Sequence, residues 1–261
     1  MTLKKDQIEE LVRNGYPLDF ADVFNKAFEN YKKIALYAGL MIFVFMIILL
    51  AVLASISIAF VGVAALSQES LEQLSLNMKE LSGTPLIVYS GLSLLFSCII
   101  SPLHAGLIKM AYCAERDEEF HVSTVFSYYT SKYLAPIFGA TFLILLISNG
   151  LSMTLNTTGI SIVGPILSLA VSFFTILTIP LIIFSDFTAV DAIKCSFLIV
   201  AKQPAILFAL MTLAVIGSMV GFIGCCIGVF FTVPFIYSMY YIMYREIIGF
   251  DYDNEEEKTT S

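Results

Sequence analysis

Four long stretches of this chain carry no charge: residues 34–68, 81–108, 133–185 and 203–244, of 35, 28, 53 and 42 residues. All 14 basic and 21 acidic residues lie between or beyond them. A helix needs about 20 mainly apolar residues to cross the hydrocarbon core. The first two runs therefore hold one span each, and the last two hold two each. The pattern predicts an all-α, polytopic membrane protein with six transmembrane helices, near 34–62, 85–108, 134–154, 163–184, 205–223 and 227–248. Helices carry the spans because lipid offers backbone polar groups no partner.

Orientation follows from the cations. Lys4, Lys5, Arg13, Lys26, Lys32 and Lys33 precede the first span, and Lys109, Arg116 and Lys132 lie between the second and third. Lys194 and Lys202 separate the fourth and fifth, and Arg245 and Lys258 follow the sixth. Only Lys79 falls in an opposite loop. The bias puts both termini in the cytoplasm, with Lys33 and Lys109 at one face and Lys79 at the other. Localisation is then the cell membrane, and for a bacterial chain the inner membrane.

A unit repeats three times. Each even-numbered span carries a proline, at Pro102, Pro180 and Pro234, which frees a carbonyl four residues back and kinks the helix. Ser101, Thr178 and Thr232 stand beside those prolines as candidates to absorb the freed group. Each odd-numbered span follows an amphipathic segment: Asp19 to Lys33, His121 to Tyr133 and Asp186 to Gln203. With an apolar face and, in the first and third, a lysine-bearing polar one, they are expected to be three cytoplasmic-side helices lying near the membrane plane. The domains then run 1–18, a cytoplasmic N-terminal helix and linker; 19–249, a six-helix membrane domain in repeat units 19–112, 121–184 and 186–248; and 250–261, an acidic disordered tail. The even helices are expected inside a pseudo-threefold bundle. Gly217, Gly221, Gly224 and Gly228 recur every three to four residues and read as the packing surface and tight hairpin of spans five and six.

Composition agrees: 58% of residues are hydrophobic and 13% charged, against roughly 45–50% and 25% in soluble domains. A net charge of −7 without a basic stripe argues against nucleic acid as a partner. Membrane lipids are the expected partner, with other membrane proteins as further candidates. The five cysteines show no ligand spacing with a histidine, and vicinal Cys225 and Cys226 read as small packing residues.

From Asp191 to Gly249 the chain resembles the C-terminal part of a bacterial six-helix membrane family. Related to it is the membrane domain fused to some glycerophosphodiester phosphodiesterases. The resemblance rests on Ala192-Ile193-Lys194-Cys195-Ser196, Gly224, Gly228, Thr232-Val233-Pro234 and Tyr244-Arg245-Glu246-Ile247-Ile248-Gly249, with the Ala21 to Lys33 segment also fitting. Twelve residues follow Gly249 and leave no room for a phosphodiesterase domain in this sequence, so that activity is not expected.

No catalytic motif appears, and no Asp, Glu, Lys or Arg occupies a span centre. His104 reads as a buried, hydrogen-bonded side chain or, less simply, a ligand; His121 as exposed or capping. Asn149 and Asn156 read as a polar helix end, and Glu115, Asp117, Glu118 and Glu119 as a solvated turn rather than a cation site. No cofactor, metal or catalytic residue is assigned, and the chain is expected not to be an enzyme. The sharpest candidate is a structural ion pair. Asp186 lies six residues past Pro180 and Lys109 seven past Pro102, which puts them at matching depth, with Arg245 as the competing cation. Two functions remain: a non-catalytic scaffold or assistant in envelope or lipid processes, and a transporter or channel for a neutral or amphiphilic solute. A wide polar cavity between spans two, four and six would favour the second.

Overall fold

The computed structural model describes residues 8, 10–61, 69, 72, 83–157, 163–224 and 227–250. Lys79, Cys225, Cys226 and the tail beyond 250 lie outside them. In chain order the helices are α1 (Phe20–Val61), α2 (Thr84–Glu115), α3 (Val122–Phe126), α4 (Leu134–Thr157), α5 (Val163–Phe174), α6 (Thr178–Ser185), α7 (Ala189–Val200), α8 (Pro204–Met219), α9 (Gly228–Thr232) and α10 (Pro234–Ile248). Short 3-10 turns follow α3 at Ser127–Tyr129 and α8 at Val220–Gly224.

Among the described residues, five helical stretches are long and apolar enough to cross a membrane. They are Phe20–Ile56, Leu86–Glu115, Leu134–Leu155, Val163–Ser185 and Pro204–Ile223. The expected sixth crossing is divided into α9 and α10 at Val233, because Pro234 has no amide to continue the ladder. Val233 itself keeps helical angles (φ −54°, ψ −36°), so the interruption is local. The chain is an all-α, multi-spanning membrane protein.

The amphipathic segments differ from expectation. The first is not a separate helix: α1 runs 42 residues without a break, since no proline interrupts it. At ~1.5 Å per residue it is about 63 Å long, roughly twice the ~30 Å hydrocarbon core. Asp22, Asn25 and Glu29 are exposed, as an amphipathic segment requires, while Lys26 and Asn30 reach other helices. Lys26 pairs with Glu246 at 3.0 Å, Asn30 donates to the Ala111 carbonyl at 2.7 Å, and Ser238 donates to Asn30 at 2.8 Å. With the Phe43–Phe230 ring contact, these pairs step along α1 and α9–α10 in opposite senses, so the first and last helices pack antiparallel. The second segment is one helical turn and a 3-10 turn, and only the third, α7, is a full 12-residue helix.

α6 buries six of its eight residues and α10 ten of fifteen, against one of twelve in α5. Outer helices pair through small residues. Ser152 and Ser168 hydrogen-bond at 2.8 Å across α4 and α5, and a Cβ on Gly164 would lie 3.1 Å from the Ser152 Cα. The N-terminal segment, helical at 10–14, is docked rather than free: Tyr16 donates to the Ile199 carbonyl at 3.0 Å, and Gln203 donates to the Tyr16 carbonyl.

Candidate functional site: an apolar cleft beside two proline kinks

The three proline sites are each secured by a hydroxyl from elsewhere in the chain. Pro102 leaves the Cys98 carbonyl without its helical donor, and the Ser101 hydroxyl supplies one at 2.8 Å. One residue on, the Ile99 carbonyl accepts from the Tyr129 phenol at 2.6 Å. The same offset recurs at Pro234, where Tyr31 donates to the Phe231 carbonyl at 3.2 Å. Before Pro180 the helix opens between α5 and α6. There Ser196 of α7 accepts from the Leu177 amide at 3.1 Å and donates to the Phe174 carbonyl at 2.9 Å. The expected helper, Thr178, is instead a buried hydroxyl with no partner among the described residues. Thr232 bonds the Ser218 carbonyl across the hairpin at 2.6 Å, and more weakly its own helix. Tyr129→Phe removes only the link from the 3-10 turn to the kink. It is expected to lower stability by about 1 kcal/mol, the net worth of one such bond, in a detergent unfolding titration; an unchanged midpoint would show the bond to be idle.

Beside the Pro102 and Pro234 sites lies a cleft of about 470 Å³, within the roughly 300–1,000 Å³ of small-ligand sites. α1 supplies most of one wall, from Tyr37 to Ile48, and α2 supplies Ile100, Leu103, His104 and Leu107. Val122, Val125 and Phe126 of α3, with Val233 and Tyr237, complete it. The polar side chains in this lining are Tyr37, His104 and Tyr237. The His104 and Tyr237 rings meet edge to face at 5.7 Å, and Tyr37 packs on Phe120 at 5.4 Å. His104 is exposed to the cleft rather than buried and hydrogen-bonded, as the sequence suggested. α3 reaches α2 because Gly106 has no side chain: a Cβ there would fall 2.1 Å from the Val125 carbonyl oxygen.

At one end of the bundle, polar and aromatic groups form a second cluster. Arg245 binds Glu115, which also accepts from the Tyr241 phenol. Ser185 and Tyr244 share a 2.6 Å hydrogen bond, and Phe184, Tyr112 and Phe250 pack around them. The Lys109 ammonium sits 3.7 Å from the Tyr112 ring centroid, a cation–π contact. Lys33 bonds Asp117 at 2.7 Å and the Ala114 carbonyl at 3.0 Å.

The ions grouped by sequence depth thus take other partners. Asp186 pairs with Lys132 at 2.9 Å and accepts from the Tyr133 phenol at 2.5 Å. The reason is local: Asp186 caps α6 in the left-handed conformation (φ 57°), where the helix ends. The bond to Asp186 raises the Lys132 ammonium above its ordinary value; burial first, then Asp186, raises the Tyr133 phenol. The acidic turn is likewise divided, with Glu115 held by Arg245, Asp117 by Lys33, and Glu119 4.0 Å from His121. Among the described residues, no three His, Cys, Asp or Glu side chains are placed to hold a metal ion.

Of the glycines named from spacing, Gly221 and Gly228 meet backbone to backbone; a Cβ on Gly228 would lie 2.4 Å from the Gly221 oxygen. A Cβ on Gly217 would lie 3.0 Å from the Phe235 ring, and Gly224 ends the 3-10 turn after α8. Gly39, which sequence reasoning missed, lets α1 approach α9: its Cβ would fall 2.8 Å from the Phe231 Cα. No protein-family model, curated protein or solved structure matches this chain.

Proposed function

We propose that this is a non-catalytic protein of the bacterial inner membrane that assists a lipid or envelope process by holding an amphiphile in the cleft. Six spans with cytoplasmic termini, and kinship with the membrane domain of glycerophosphodiester phosphodiesterases, belong to the same reading. The observation that carries it is the cleft: a ligand-sized space, walled by apolar side chains, between the two proline-kinked helices. Apolar walls suit an acyl chain and disfavour a hydrated solute, which would lose its hydrogen bonds there. A channel for a neutral solute calls instead for a polar path between spans two, four and six, and the cleft is apolar and flanked by α1. The pseudo-threefold repeat is supported by the three hydroxyls, since Tyr31, Tyr129 and Ser196 each come from the segment that follows, in cyclic order, the proline helix they serve.

The test is native mass spectrometry of the full chain released from mild detergent. The natural chain is expected to retain lipid. Val44→Trp, which fills the cleft from α1, should lose most of it. Leu36→Trp, on an α1 position outside the lining and 75% exposed, should retain it. Equal retention by all three would overturn the proposal.

A further inference from the structure

We infer that the ligand of this cleft is an uncharged amphiphile, whose hydroxyl or carbonyl head is bound by His104 and Tyr237 and whose tail lies along α1. The inference rests on the cleft being a lipid site and adds the chemistry of the head group.

Three observations carry it. First, His104 and Tyr237 stand in the cleft from facing helices, and among the described residues neither makes a hydrogen bond to protein. A neutral imidazole and a phenol each offer a donor and an acceptor. In an apolar wall those groups are costly unless something satisfies them. The two rings touch, so a hydroxyl or carbonyl lodged against their polar edges, rather than between them, would do so.

Second, among the described residues no Asp, Glu, Lys or Arg lines the cleft. A phosphate drawn in would lose its water and gain no counter-charge. The neighbouring cations are occupied: Lys33 by Asp117, Arg245 by Glu115, and Lys109 by the Tyr112 ring. Lys109 is also five residues beyond His104, about 140° around the helix at 3.6 residues per turn.

Third, the polar lining is collected at one end. Tyr37 is the lining residue of α1 nearest Lys33, and Tyr237 lies closer than Val233 to Arg245. The apolar wall then continues to Ile48, about 16 Å further along α1. Head toward the charged end and tail toward the middle of the bundle is the orientation of a lipid in the adjoining leaflet. Val122 and Phe126, both exposed, stand on the α3 side of this space.

The chain has no tryptophan, so Phe126→Trp gives a single fluorescent reporter in the lining. In phosphatidylcholine vesicles, diacylglycerol brominated on its acyl chains should quench that reporter saturably. Phosphatidylglycerol brominated the same way should give only a non-saturating background. His104→Leu and Tyr237→Phe should each raise the half-saturating mole fraction about two- to tenfold, the range of one net hydrogen bond. Tyr237→Phe removes one oxygen and keeps the ring, so its effect is separable from folding. Equal quenching by the anionic lipid, or no shift in either variant, would overturn the head-group assignment and leave the cleft a lipid site. Absence of saturable quenching by both lipids, with lipid retention indifferent to Val44→Trp, would overturn the site itself.

Discussion

Arg245→Met is expected to destabilise the fold by about 2–3 kcal/mol. Arg245 and Glu115 are 31% and 24% exposed, so they sit between two regimes. Breaking a fully buried pair costs roughly 3–5 kcal/mol because one charge is left behind, whereas surface pairs contribute roughly 0–1. The value expected lies nearer the buried limit, because Tyr241 also points its phenol at Glu115 and aromatic rings close the surroundings. Without Arg245, Glu115 keeps the neutral Tyr241 donor and loses the guanidinium that binds it. The signature is therefore in the double variant: Glu115→Gln with Arg245→Met should recover part of the loss, as coupled neighbours do. A sodium dodecyl sulfate unfolding titration reads both; strictly additive losses would show that the pair does not act as a unit.

Gly106→Ala is the second large effect. Its Cβ would fall 2.1 Å from the Val125 carbonyl oxygen and 2.5 Å from the Val125 Cα. Both are backbone atoms and cannot rotate aside, so α3 must move as a body. Overpacking of this kind costs typically about 1–3 kcal/mol, and the gain in helix propensity from glycine to alanine, about 1 kcal/mol, offsets only part. Displacing α3 also removes Val122, Val125 and Phe126 from the cleft wall. Amide hydrogen exchange at 122–129 should accelerate and bound lipid should fall. Gly91→Ala is the control within the same helix: nothing lies within 4 Å of its Cβ, so it should be neutral or mildly stabilising. Equal behaviour of the two variants would remove the close approach from the account.

The helices were legible in the charge pattern because a span is a statistical object: some twenty positions all obey one rule. Breaks were less so. Pro180 and Pro234 marked where ladders fail, yet the opening at residues 175–177 is settled by Ser196, nineteen positions beyond Leu177. A single hydroxyl carries no period. The same holds for Tyr31, Tyr129 and Asn30, whose partners are carbonyls or side chains on other helices. Gly221 and Gly228 were visible as a spacing, whereas Gly39 and Gly106 are isolated and make contacts as close. The cleft was invisible for another reason. Its lining is ordinary span composition, and only His104 stood out, without its facing partner Tyr237. Asp186 was legible as a charge at the end of its helix, but its contacts with Lys132 and Tyr133 follow from a left-handed residue that turns it toward the neighbouring loop, which depth along a helix does not encode.

The pairing of Asn30 with Ser238 has a consequence for biosynthesis. The two are 208 positions apart, so the ribosome delivers the amide long before the hydroxyl. Until α9 and α10 emerge, α1 waits in the membrane with Asn30 short of a native partner and Gly39 without its facing helix. A chain interrupted before Gly228 lacks every partner that α9 and α10 give to α1 between Lys26 and Phe43.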